Sequence, residues 1–179
     1  MGLGTGDTAG MLAASLTCGQ YGPMTRTDYF DDPAAPSANS IVPSVTVAVR
    51  NEAGALLLIH RTDNDLWAIP GGGVDVGESV PQAGVRETEE ETGLLVEIIG
   101  LVGIYTDPRH VIAYDDGEVR QQFSICMHGA VVGGTIRTSN ESSEVLWVPV
   151  NELEGLNIHP SMRLRIDHAL DKDAVPYLG

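Results

Sequence analysis

The stretch "GGGVDVGESVPQAGVRETEEETGL", residues 71–94, decides the fold of this chain. Ser79 and Gln82 have the three-residue spacing of an N-terminal capping box, in which each side chain serves the other's backbone N–H. Gly93 suits the position just past a helix C-terminus, where a left-handed backbone is needed. These signals predict a helix over about residues 80–92, with a glycine loop before it and a strand after it.

Three glutamates of this predicted helix lie on one side. At about 100° per residue, Glu87, Glu90 and Glu91 fall within an arc of roughly 100°. Like charges at these spacings repel, and Glu90 and Glu91 also lie at the negative end of the helix dipole. A solvated acidic face is the simplest interpretation of such a run. The adjoining glycine loop instead favours a cation site, because a divalent ion such as Mg²⁺ prefers carboxylate oxygens and would relieve the repulsion.

The flanking segments predict one α/β domain without internal repeats. Runs of β-branched and aliphatic residues, bounded by Gly, Asn and Asp, indicate strands, and the last apolar-periodic run indicates a helix. We read residues 108–118 as a loop or hairpin tip. The predicted strands cover residues 44–50, 55–61, 94–107 and 119–132, and the predicted terminal helix covers residues 159–171.

Residues 1–40 differ in composition, being rich in Gly, Ala, Ser, Thr, Asp and Pro, and predict a poorly ordered arm before a domain at 41–175. The apolar run "AGMLAASLTC" is short and follows no Lys or Arg, so a secretory signal is disfavoured and we expect a cytoplasmic protein. A true start at Met24 is an alternative. No stretch is apolar for long enough to cross a membrane.

The net charge of the chain limits which classes of binding partner are expected. At −15, with a pI of about 4.4, the chain argues against stable nucleic-acid binding, because phosphates repel an acidic surface. A phosphorylated small molecule is not excluded if a metal ion mediates the contact.

The residues quoted above also carry a family resemblance. The spacing Gly72–x5–Glu78–x7–Arg86-Glu87-x-x-Glu90-Glu91-x-Gly93-Leu94 resembles the signature box of the Nudix hydrolases. The stretch "LWAIPGG" before the box and "WVPVNEL" after it fit the same family, over roughly residues 43–172. Thr88 departs from the pattern, since the family usually has a bulkier aliphatic residue there, which bears on packing rather than on chemistry.

The resemblance implies a fold and a reaction. The fold class is α/β, a Nudix-type α/β/α sandwich with a mixed β-sheet between helices. The reaction is cleavage of a nucleoside diphosphate linked to another group X, with Mg²⁺ or Mn²⁺ as cofactor. By matching positions, Glu87, Glu90 and Glu91 would be metal ligands, with Glu90 and Glu91 also counted as catalytic. Gly72 would offer its carbonyl to the metal, and Arg86 would orient a glutamate.

Residues outside the box complete the expected site. Family members often carry a glutamate before the tryptophan of "NESSEVLW", so Glu141 and Glu144 are candidates for the general base or a further ligand. Glu118 is a less favoured candidate, and each could equally be a solvated loop residue. We expect substrate contacts at Arg61, Trp67, Gly71 and Gly72, although Trp67 could belong to the core and Arg61 could be solvated.

The favoured substrate is an ADP-ribose-like nucleoside diphosphate derivative. The alternatives are a nucleoside triphosphate, including oxidised forms, and a ligand-sensing Nudix domain that binds without cutting. A purely structural acidic domain would leave the glycine loop and the box spacing unexplained. By analogy with the family, a homodimer is the expected assembly.

Overall fold

A computed structural model describes residues 26–171, 173 and 175–179. It contains ten strands, two α-helices and a 3-10 helix (Val150–Gly155). In chain order the strands and α-helices are β1 (Arg26–Phe30), β2 (Ser40–Val49), β3 (Leu56–Arg61), β4 (Trp67–Ala68), β5 (Gly71–Gly73), α1 (Val80–Thr92), β6 (Leu94–Tyr105), β7 (His110–Tyr114), β8 (Val119–Gly134), β9 (Ser142–Val148), α2 (Pro160–Leu170) and β10 (Tyr177–Leu178).

The strands form two sheets. A seven-stranded sheet runs β1-β7-β8-β2-β5, with β6 paired to β8 and β10 paired to β6. This sheet is mixed, because β2 pairs with β8 in parallel while β6 and β7 pair with β8 antiparallel. A smaller antiparallel sheet runs β4-β3-β9.

Alternate residues of the central strands face two different cores. On β3, Leu57 and Ile59 join a cluster that includes Ala83 of α1, whereas Leu56 and Leu58 join a cluster that includes Ile166 of α2. Side chains alternate between the faces of a strand, so the sheets lie between the two helices. This arrangement confirms the predicted α/β/α sandwich with a mixed sheet.

The predicted arm ends earlier than residue 40. Residues 26–30 form β1, which pairs antiparallel with β7 at the edge of the large sheet, and β7 itself replaces much of the loop predicted at 108–118. The sequence "RTDYF" does not alternate between apolar and polar residues. An edge strand with largely exposed faces does not require this alternation, so the pattern gave no signal of a strand. Residues 26–30 of the predicted arm are thus a paired strand, and residues 1–25, with Met24, lie outside the described residues.

The predicted glycine loop is a short strand. Gly71, Gly72 and Gly73 pair with Thr46, Val45 and Ser44 of β2. At Gly71, φ is 154° and a Cβ would collide with the carbonyl oxygen of Val45, so only glycine fits this close approach. The pairing fixes β5 against the centre of the sheet, beside α1.

In the part of the chain that the structure describes, no helix is both long enough and apolar enough to span a membrane.

Candidate active site

Helix α1 begins and ends where the sequence predicts. The capping box of Ser79 and Gln82 is present, and Gly93 closes the helix with φ of 75°. Gly84, a weak helix former, lies where a Cβ would meet a Val47 methyl at 3.0 Å, so its small size lets α1 approach β2 closely. This contact sets the height of the glutamates over the sheet.

Glu91 is the most buried of these glutamates, with 2% of its surface exposed. Its Oε2 accepts a 2.8 Å hydrogen bond from the backbone N–H of Gly71. Its Oε1 is buried without a hydrogen-bond partner and lies 3.7 Å from Nη1 of Arg61. Burial raises the pKa of Glu91 to about 8, and the Gly71 hydrogen bond and the Arg61 charge oppose this only in part. The orphaned oxygen therefore has an unmet need for a cation or a proton.

Glu87 lies against Gly72. A Cβ at Gly72 would come within 2.5–2.6 Å of the Glu87 carboxylate, so the missing side chain provides the space that this carboxylate occupies. Burial raises the pKa of Glu87, and its bond to Arg86 works in the opposite direction. The Gly71–Gly72 segment thus contacts both glutamates. The backbone N–H of Gly71 binds Glu91, and the Glu87 carboxylate occupies the space where Gly72 lacks a side chain.

Arg86 connects the acidic residues of the site. Its guanidinium binds Glu78 through two hydrogen bonds of 2.7 and 3.0 Å, a bidentate geometry of high strength. It also donates to Glu87 at 2.7 Å and to Glu90 at 3.1 Å, and to the carbonyl of Gly73 at 3.1 Å. The Glu90 side chain is 60% exposed, so Arg86 is what restrains it. One cation therefore offsets the repulsion that the sequence pattern raises.

The structure separates the three candidate bases. The Glu141 backbone accepts from Thr62, and the adjacent Ser142 hydroxyl donates to the Glu91 carbonyl at 2.8 Å, which places Glu141 beside the α1 glutamates. Burial is the largest cause of the raised pKa values of Glu87 and Glu91. The negative charge of Glu141 raises both pKa values further, by a smaller amount. Glu144 instead lies 3.6 Å from His60, and Glu118 binds Arg120 and the Ser40 hydroxyl.

A cleft of about 220 Å³ opens beside this group. It is lined by Gly71, Gly72, Arg61, Glu141 and Trp67, so it brings together all four predicted substrate contacts with Glu141. The Trp67 ring stacks on His60 at 4.9 Å between centroids and contacts the core with part of its surface. Four of the nine arginines of this acidic chain line the same cleft, namely Arg26, Arg61, Arg120 and Arg165. The cleft thus offers carboxylates on one side and guanidinium groups around it.

The α1 residues fit a hard divalent cation. The donor set is entirely oxygen, which suits Mg²⁺ or Mn²⁺ better than a softer metal. Glu91 supplies a buried oxygen that lacks a hydrogen-bond partner, and Gly72 leaves room for the Glu87 carboxylate. Arg86 holds Glu87 and Glu90, and among the described residues these carboxylates are not gathered around a single point with Glu91.

A second group of potential ligands lies elsewhere in the cleft. Among the described residues, Asp28, His110 and His159 have ligand atoms within 4.8 Å of one another. Both Arg26 and Arg165 add positive charge beside His159, which disfavours a divalent cation there. We interpret the 2.9 Å hydrogen bond between His110 and Asp28 as the link that holds β1 on the sheet. Sequence reasoning missed this group because its members come from three distant elements, with 82 positions between Asp28 and His110.

Three relatives share 34–37% identity with parts of this chain. A MutT-like protein of Streptomyces ambofaciens is 37% identical over 62% of this chain and 65% of its own length. A putative 8-oxo-dGTP diphosphatase of Bacillus subtilis is 34% identical over 60% of this chain and 66% of its own length. An ADP-ribose pyrophosphatase of Methanocaldococcus jannaschii is 35% identical over 64% of this chain and 66% of its own length. The chain thus spans slightly less than two thirds of each of these relatives.

The fold has a close counterpart among solved structures. A NUDIX hydrolase from Nitrosomonas europaea superposes with a TM-score of 0.67 at 19% identity, covering 79% of this chain and 78% of the other. The NUDIX domain family model matches residues 41–169, which include α1, the glycine strand and the Glu141 loop. Box spacing, sandwich fold and family model agree, and the chain belongs to the Nudix family.

Proposed function

We propose that this Nudix domain is an enzyme that hydrolyses the pyrophosphate linkage of a nucleoside diphosphate derivative, with Mg²⁺ or Mn²⁺ as cofactor. One observation carries the proposal. The carboxylate of Glu91 is buried against Gly71, which lines the cleft, and one of its oxygens has no hydrogen-bond partner. Such a group costs stability unless a cation meets it, and places where local rules are broken tend to be functional.

The ligands of the ion would be Glu87, Glu90 and Glu91 with the carbonyl of Gly72. When bound, the divalent ion supplies Lewis-acid neutralisation of phosphate charge and lowers the pKa of a coordinated water. Arg86 would act as a positioning residue, because it already holds Glu87 at 2.7 Å and Glu90 at 3.1 Å. Its own orientation is fixed by Glu78, through hydrogen bonds of 2.7 and 3.0 Å.

Arg61 is suited to contact the phosphates. It lines the cleft, and its guanidinium lies between Asp63, at 2.9 Å, and the buried Glu91, at 3.7 Å. Arginine matches phosphate oxygens with paired N–H donors, so an incoming phosphate could share this cation. In an acidic protein, such contacts offset the repulsion that the overall charge would exert on the substrate.

Glu141 is the preferred general base. It lines the cleft, whereas Glu144 faces His60 and Glu118 is bound to Arg120. A base must come within hydrogen-bond reach of the attacking water, directly or through one bridging molecule. Of the three candidates, Glu141 alone shares the cleft with Gly71, Gly72 and Arg61.

The favoured substrate is ADP-ribose-like, and an oxidised nucleoside triphosphate is the second candidate. The similarity to the archaeal ADP-ribose pyrophosphatase supports the first, and the similarity to the putative 8-oxo-dGTP diphosphatase supports the second. Trp67 offers a partly exposed aromatic face at the cleft, which could stack on a base or a ribose in either substrate.

A hydrolysis screen tests the proposal. The panel holds ADP-ribose, sugar nucleotides, dinucleoside polyphosphates, NADH, and normal and oxidised dNTPs, each with Mg²⁺ and with Mn²⁺. We expect turnover of at least one compound, abolished by EDTA and by Glu91→Gln. Binding of a nucleotide without turnover of any compound would instead identify a ligand-sensing domain and overturn the enzyme proposal.

A further inference from the structure

Arg165 is a buried cation that no acidic side chain of the described residues neutralises directly. It lies in α2, lines the cleft and is 4% exposed. Among the described residues its guanidinium forms no hydrogen bond or ion pair, and its Nε is buried without a hydrogen-bond partner. The guanidinium lies 5.4 Å from the centre of the Tyr105 ring. Burial lowers the pKa of Arg165, which shows how poorly its charge is solvated.

This arrangement is unfavourable for the protein alone. An unpaired buried charge costs several kcal/mol, more than the roughly 2 kcal/mol that a desolvated cation–π contact returns. The Asp28 carboxylate acts on the charge of Arg165, but it is already bound to His110 at 2.9 Å. A packed methionine would fill the same position without the penalty, so stability does not explain the arginine.

A second arginine of the cleft has a similar deficit. Arg120, on β8, also has a buried Nε without a hydrogen-bond partner, although its other nitrogens bind Glu118 and Tyr114. Gln122 and Ser161 line the same cleft and add neutral hydrogen-bonding groups. Two guanidinium groups with neutral donors are the usual components of a phosphate or carboxylate site.

This group is electrostatically distinct from the α1 site. Cys126, Tyr105 and Asp28 act on the charge of Arg165, and Arg165 in turn acts on His159. Those that influence Glu91 are Arg61, Glu87 and Glu141. The cleft therefore contains a basic centre suited to an anion, and the acidic centre suited to a cation lies next to its wall, against Gly71 and Gly72.

We propose that Arg165, assisted by Arg120, binds a second anionic group of the substrate, a phosphate or a carboxylate other than the pyrophosphate that is cleaved. This inference rests on the proposed function, because it names the class of nucleoside diphosphate derivative that the cleft selects. Such a substrate would carry its extra charge either on the group X or on the nucleoside.

Anion binding can be measured without turnover. Thermal unfolding is followed in EDTA while inorganic phosphate is titrated against chloride of equal ionic strength, for the parent, Arg165→Met and Arg163→Met. Arg163 is the matched control, since it lies on the same helix, pairs with Asp167 at 2.8 Å and does not line the cleft. We expect phosphate to raise the Tm of the parent and of Arg163→Met, and to leave Arg165→Met unchanged. An equal phosphate response in all three proteins, or none in the parent, would overturn the inference.

The same titration separates a binding role from a structural one. At zero phosphate, Arg165→Met should have a Tm equal to or above that of the parent, because the variant removes an uncompensated buried charge. A Tm well below that of Arg163→Met would show that Arg165 supports the fold, and the proposal would be withdrawn. Neither measurement needs catalysis, so a failed hydrolysis screen leaves this test intact.

Matched substrate pairs identify the source of the anion. UDP-glucuronate and UDP-glucose differ by a carboxylate on X, and NADPH and NADH differ by a phosphate on the nucleoside. For one pair we expect the parent to favour the anionic member by roughly tenfold or more in kcat/KM, the scale of a hydrogen bond to a charged group. Arg165→Met should lose this preference and Arg163→Met should keep it. An unchanged preference in Arg165→Met would contradict the assignment.

Discussion

The Oε2 atom of Glu91 accepts a 2.8 Å hydrogen bond from the backbone N–H of Gly71, twenty positions earlier in the chain. This bond joins the last turn of α1 to the strand β5 and leaves the other oxygen of Glu91 buried without a partner. The carboxylate is therefore held in one orientation before any ligand arrives. A preorganised charge of this kind is what electrostatic catalysis requires.

Replacing Glu91 tests the cation site directly. Glu91→Gln retains an oxygen that can accept from Gly71 but removes the negative charge, so turnover should fall by about two orders of magnitude or more. The measurement is kcat for the best substrate of the screen at saturating Mg²⁺. Glu89→Gln is the control, because Glu89 is exposed and lies outside the cleft. Equal activity of Glu91→Gln and the parent would remove the metal role from this residue.

The same substitution should change how stability depends on pH. In the metal-free folded protein the pKa of Glu91 is about 8, against an ordinary value of 4.5. Between these values the folded state keeps a proton that the unfolded chain has lost, so this group lowers the free energy of unfolding as pH rises. The free energy of unfolding of Glu91→Gln should equal that of the parent near pH 4.5 and exceed it at pH 8 by about 2 kcal/mol or more.

Urea unfolding in EDTA at several pH values between these limits provides the measurement. Glu89→Gln should show the pH dependence of the parent, since its carboxylate is exposed. Adding Mg²⁺ should narrow the gap between parent and Glu91→Gln at pH 8, because the ion binds the folded parent. A gap that does not change from pH 4.5 to 8 would contradict the burial of an unpaired carboxylate.

Gly72 and Gly73 form a natural comparison. A Cβ at Gly72 would lie 2.5–2.6 Å from the Glu87 carboxylate, whereas a Cβ at Gly73 would meet no atom within 4 Å. Gly72→Ala should therefore displace Glu87 and lower kcat at least tenfold, while Gly73→Ala should stay within about twofold of the parent. The Mg²⁺ concentration for half-maximal rate should rise for Gly72→Ala alone. Similar losses in both variants would point to the strand pairing instead of the Glu87 contact.

Arg86→Lys tests how the acidic residues are held together. Lysine keeps the charge but cannot make the bidentate bond to Glu78 together with the bonds to Glu87 and Glu90. We expect a 10- to 100-fold loss of activity or metal affinity, the usual range for a residue that orients metal ligands. Arg137→Lys is the control, because the Arg137 side chain donates only to the Glu89 carbonyl among the described contacts. Full activity of Arg86→Lys would show that charge alone suffices.

The local signals of the sequence were sufficient for α1 and its glutamates. The capping box and Gly93 mark the helix within a few positions, and helical periodicity alone places Glu87 and Glu91 together. The pairing of β1 with β7 could not be predicted, because it joins two segments about eighty positions apart that have no shared local pattern. The group around Asp28 could not be predicted for the same reason, because its members are far apart in the sequence. The burial of Arg165 could not be predicted either, since an arginine in a polar helix is expected to be solvated unless the tertiary fold covers it.

Glu141 and Glu144 separate two interpretations that the sequence left open. Both precede Trp147, but Glu141 lines the cleft, whereas Glu144 is 55% exposed and faces His60. Glu141→Gln should lower kcat by about 10² to 10⁴, the range for loss of a general base, and Glu144→Gln should change it less than about threefold. Thermal unfolding of both variants should match the parent, because both side chains are solvent-accessible. If Glu144→Gln loses the activity and Glu141→Gln keeps it, the base lies on β9 and the loop before that strand only shapes the cleft.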